Sequence, residues 1–81
     1  MLTEYIQKVL GHAHYEIIED DGTYWGEIPA FQGVWGRAET LEKCREELRV
    51  ALEEWVVFRL RKDLDLPVVE GIDLNIVERV A

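Results

Sequence analysis

The 81-residue chain has one cysteine, no serine, one asparagine and two histidines. A lone thiol, Cys44, excludes an internal disulfide framework and fits a reducing compartment. Few labile amides beside 32 % charged residues lean towards a heat-adapted protein. No apolar run approaches the ~20 residues that a bilayer span needs. The first eight residues, Met1 to Lys8, lack the basic start and apolar block of a signal peptide, so a cytoplasmic protein is expected. Positive charge is the scarcer sign. Nine Lys and Arg stand against 17 Asp and Glu, a net charge of −8. Phosphate contacts need clustered cations, so this balance argues against nucleic acid. It favours plain solubility or a basic partner.

The hydrophobic share is 48 %, too high for a disordered tail. A chain this short buries only ~60 % of its unfolded surface, so residues 1–81 must share one small core. Tyr5, Ile6, Val9 and Leu10 recur at helical spacing and predict a helix within 1–11, with Thr3 as cap and Gly11 as stop. Two runs rich in β-formers flank Asp20-Asp21-Gly22, a hairpin signal, because glycine accepts the positive φ of a type I′ turn. With Asp21-Gly22 as a two-residue loop, Ile18 faces Trp25, Ile17 faces Gly26 and Glu16 faces Glu27. Alternation gathers Tyr15, Ile17, Tyr24, Gly26 and Ile28 on one face. The other face carries His14, Glu16, Ile18, Trp25 and Glu27. Pro29 to Gly33 reads as a loop, and Val34 to Arg37 as a third strand that completes a sheet over 13–37.

Thr40 caps a long helix over 40–61. Its apolar stripe is Leu41, Cys44, Leu48, Ala51, Leu52, Trp55 and Phe58, in steps of three and four. Pro67 prevents the helix from continuing. Ile72 to Ile76 then alternates strictly, which predicts a strand over 68–78. The expected fold is α+β: a three-stranded antiparallel sheet plus a C-terminal strand, covered by a long helix, with a short N-terminal helix.

Few residues carry chemistry. His12 and His14 lie two apart, a spacing two metal ligands can use, but a structural zinc site wants four ligands and no cysteine or third histidine is near. They read as a solvated pair. Glu16, Glu19, Asp20, Asp21 and Glu27 cluster round the hairpin. A nuclease uses such a group to hold metal ions; a solvated hairpin tip uses it for turn geometry. Glu16 opposite Glu27 is different, since facing like charges destabilise a sheet. Either the register differs or a partner's cation neutralises the pair, which makes the hairpin a candidate interaction patch. Cys44 sits on the helix stripe with no histidine to activate it, so it reads as a small core residue. Trp25 falls on the face away from the helix and is the first candidate for an exposed contact residue.

The ordered run is specific in combination. Tyr15-Glu16-Ile17-Ile18-Glu19 leads through an acidic glycine turn to Tyr24-Trp25-Gly26-Glu27-Ile28-Pro29. Gly33, a short strand and Thr40-Leu41-Glu42 follow. Over about residues 13 to 60 the chain resembles the HicB-type antitoxins of bacterial toxin–antitoxin systems. The resemblance implies a partial ribonuclease-H-like fold without ribonuclease activity. It implies binding to a small basic HicA-type toxin, an mRNA-cleaving enzyme with a double-stranded-RNA-binding-like fold, whose active site the antitoxin hides. The chain departs from the pattern at Val34, Ala38 and Cys44, where the family often has cysteine, glycine and alanine. The N-terminal helix lies outside the shared pattern. Only twenty residues follow Arg61, without a second helical stripe, so no DNA binding by this chain alone is expected.

Three readings compete. The first is an antitoxin-like inhibitor that uses Glu16, Glu19, Asp20, Asp21, Trp25 and Glu27. The second is an orphan interaction or oligomerisation domain, and the third a metal-dependent nuclease. The first is preferred: no enzyme, no cofactor, no metal, a basic protein partner, and homo-oligomerisation through an unpaired strand edge.

Overall fold

Residues 2–72 are described by the structure, a computed structural model. Helix α1 spans Leu2–Leu10, strands β1, β2 and β3 span His14–Ile18, Thr23–Glu27 and Trp35–Ala38, and helix α2 spans Leu41–Arg61. The strands form one antiparallel sheet in the order β1-β2-β3, so the α+β reading holds. Of the strand expected over 68–78, residues 73–78 lie outside the described residues. Up to Ile72 the chain makes a tight turn. The Ile72 N–H donates to the Val69 carbonyl at 2.8 Å, and both residues between them, Glu70 and Gly71, have positive φ.

The long helix starts as its sequence predicts. Thr40 Oγ1 accepts the Lys43 N–H at 3.1 Å, which satisfies one of the free donors of the first turn. Arg59 and Arg61 occupy the last turn, where the helix dipole favours cations. The buried seam is Cys44, Leu48, Leu52 and Val56. Leu41 and Phe58, expected on this stripe, are 37 % and 55 % exposed. Each step of four turns the seam by about 40° round the helix axis. The seam therefore leaves the sheet and ends against α1, where Val56 shares a groove with Ile6. The expected cap Thr3 lies inside α1 rather than before it.

Small residues let the sheet meet α2 closely. A Cβ on Gly36 would lie 2.8 Å from the Leu48 nitrogen and 3.0 Å from the Cys44 oxygen, so β3 runs directly against the α2 backbone. A Cβ on Gly26 would lie 2.7 Å from the Tyr15 ring.

The core joins Tyr5, Ile6 and Val9 of α1, Leu48, Leu52 and Val56 of α2, and Ile28, Phe31 and Val34 from the connection after β2. Leu66 completes it. The connection is thus a core element. Positive φ at Ala30 and Gly33 folds it tightly, and Phe31 packs on the Trp55 ring, centroids 5.0 Å apart. Tyr5 donates its hydroxyl to the Pro67 carbonyl at 2.6 Å, which ties the segment after α2 back to α1.

Candidate functional site

The hairpin sets the site. Its loop is four residues long, not two: the Gly22 N–H donates to the Ile18 carbonyl at 2.8 Å, and Ile18 pairs with Thr23. Ile17 then faces Tyr24 and Glu16 faces Trp25, a register two residues from the expected one. The cause is the Asp21 side chain. It accepts the Thr23 N–H at 3.0 Å and the Thr23 hydroxyl at 2.7 Å, a local turn that uses up residues a two-residue loop would pair. The shift is even, so every side chain keeps its predicted face. It also removes the expected Glu16–Glu27 opposition; Glu27 lies across from His14 and Trp35.

The face of the sheet away from α2 carries His14, Glu16 and Ile18 of β1, Thr23, Trp25 and Glu27 of β2, and Trp35 and Arg37 of β3. Trp25 and Trp35 stack with centroids 4.8 Å apart and planes 9° from parallel. The Trp25 indole N–H donates to Glu27 Oε1 at 2.8 Å. Trp35 is 51 % exposed, whereas Trp25 is half-buried. The exposed tryptophan is therefore Trp35, which sequence reasoning passed over. The signal was present. Gly36 must face α2, so alternation turns its neighbours Trp35 and Arg37 outward.

The six expected contact residues divide. Glu16, Trp25 and Glu27 meet on this outer face. Glu19 and Asp20 are exposed at the turn. Asp21 is bound within the chain: the Thr23 bonds, then the Arg37 ion pair, hold its carboxyl below the usual range. Arg37 also donates to the Thr23 hydroxyl at 3.2 Å. Its charge is thus spent on the turn. The histidines diverge. His12 Nε2 lies 3.1 Å from a Glu70 oxygen, beside Lys8 at 3.6 Å from the same carboxylate, while His14 stands on the outer sheet face. Among the described residues no three His, Cys, Asp or Glu side chains converge on a common point. Cys44 is buried, with Sγ 3.5 Å from the Gly36 carbonyl, and burial pushes its thiol up.

A model of the UPF0150-like family matches residues 4–67, which includes most of α1, the whole sheet and α2. The chain belongs to the UPF0150-like family. The matched span holds all of the outer face and also most of the N-terminal helix, which the sequence resemblance left outside. No curated protein matches this UPF0150-like chain. Among solved structures it is similar to TTHA0281 from Thermus thermophilus, at 34 % identity over 90 % of both chains with a TM-score of 0.82. No described helix is long and apolar enough to cross a membrane.

Proposed function

We propose that this UPF0150-like chain is a non-enzymatic, antitoxin-like protein that binds and masks a small basic mRNA-cleaving toxin of the HicA type. The observation that carries the reading is the outer sheet face. A stacked tryptophan pair lies there, Trp35 exposed and Trp25 half-buried beneath it, beside the exposed Glu16 and Glu27. Large aromatics beside exposed carboxylates without an ion pair form a contact surface for a cationic protein. Family membership and the net charge of −8 point the same way.

Co-expression with the small protein encoded beside this chain tests it, scored by growth and co-purification. Rescue of growth with a stable complex is the expected result. A neighbour that is harmless alone and does not co-purify would defeat the reading.

A second reading, a self-associating domain, has one observation in its favour. Leu2 and Val57 are 43 % and 41 % exposed and line one groove between α1 and α2. Its charged residues, Arg49 and Glu53, pair with each other at 2.5 Å, so no net charge at that seam opposes a second copy. Light scattering on the purified chain decides: a monomer removes this reading.

A further inference from the structure

Trp25 does more than support Trp35. On its β1 side it walls a cleft of about 340 Å³ whose other lining residues are His14, Tyr15, Glu16 and Glu27. Two of these five carry negative charge. The Glu16 side chain is exposed, and its carboxylate makes no hydrogen bond or ion pair among the described residues. Glu27 gives one oxygen to the Trp25 indole, which fixes the carboxylate at the cleft and leaves Oε2 to a ligand. The cation on this face, Arg37, is tied to Asp21 and Thr23 and does not neutralise either glutamate. Trp35, stacked at 4.8 Å, holds the Trp25 plane from the opposite side.

We infer that this cleft receives one arginine side chain from a basic protein partner. An indole wall beside two glutamates offers a guanidinium both things it uses: an aromatic face to stack on and planar carboxylates for its forked donors. A lysine is a compact, strongly hydrated point charge and gains less from the wall. A nucleic acid can stack its bases on tryptophan, but here its phosphates would meet Glu16 and Glu27. The inference rests on the proposed function for the source of the arginine, not for the chemistry of the cleft.

The test is NMR on the full chain, following the indole N–H signals during titration with two capped tripeptides. One has arginine between two glycines; the other has lysine there. The arginine peptide is expected to shift the Trp25 signal and to bind at least about threefold more tightly than its lysine twin. Glu16→Gln with Glu27→Gln should abolish the shift while the backbone amide spectrum stays folded. Trp35→Leu should weaken it. An unmoved Trp25 signal, equal binding of both peptides, or undiminished binding by the double variant would each overturn the inference. The wild-type comparison decides the matter even if a variant unfolds. The two readings also fail separately. Toxin neutralisation without arginine selectivity leaves an antitoxin with no arginine cleft. Arginine selectivity without a toxin leaves the cleft and removes the antitoxin.

Discussion

Gly36 and Cys44 bring β3 and α2 together at one point, where the Cys44 thiol approaches the Gly36 carbonyl. Gly36→Ala would push a methyl group into α2 backbone that has no free rotamer to yield. Urea unfolding should show a loss of ~1–3 kcal/mol, the range for overpacking. Gly22→Ala is a different case: nothing lies within 4 Å, but φ is +71°, so the cost of ~1 kcal/mol is conformational. Cys44 also sets a pH dependence. Burial, aided by the Glu47 carboxylate, raises its thiol above the ordinary 9.0, and burial raises the Tyr15 hydroxyl above 10.0. A pKa higher in the folded state means stability that is complete below the unfolded value and lost as pH rises through the folded one. Urea midpoints should therefore fall on the alkaline side, from about pH 9 upward. A disulfide reagent at neutral pH should leave Cys44 untouched until denaturant is added.

Within the elements, the drift of the α2 seam is the sharpest test of the packing. Val56 is 1 % exposed and Phe58 is 55 % exposed. Val56→Ala should cost ~1–3 kcal/mol through a cavity between α1 and α2, whereas Phe58→Ala, though it removes more atoms, should stay within ~0.5 kcal/mol. Thermal unfolding of the two variants measures this, and the reverse order would put the seam where the sequence pattern first places it. Steps of three and four show that α2 has a buried face. They do not show where the sheet ends and α1 begins. The connection over 28–34 was less legible still. Pro29 and Gly33 mark a turn correctly, but loop chemistry gives no periodicity from which to read that Ile28, Phe31 and Val34 point inward.

Over the whole molecule, charge sets the encounter with a partner. For the basic toxin proposed as partner, a net charge of −8 should speed encounter, and should do so less as salt is added, since the screening length is ~8 Å at physiological ionic strength. Surface charge acts chiefly on the association rate. Glu16→Lys with Glu27→Lys should slow association and weaken neutralisation by at least about tenfold without unfolding the chain, because both residues are exposed. Stopped-flow binding at two salt concentrations separates the rate from the equilibrium effect. Neutralisation that survives the double reversal unchanged would move the contact surface off this face.

Periodicity and composition are local properties, and the features they control were readable from the chain alone. Alternation along β1 and β2 assigned the two sheet faces, and Thr40 opened α2. The stripe from Cys44 to Leu52 gave its buried side. Tertiary structure decided the features that depend on residues far apart. Arg37 of β3 joins Asp21 of the β1–β2 turn across 16 residues of sequence, and the buried seam of α2 passes from the sheet to α1. Tyr5 meets Pro67 across 62 residues of sequence. No local pattern encodes such contacts, because each is selected by the competition of whole surfaces for burial in one small core.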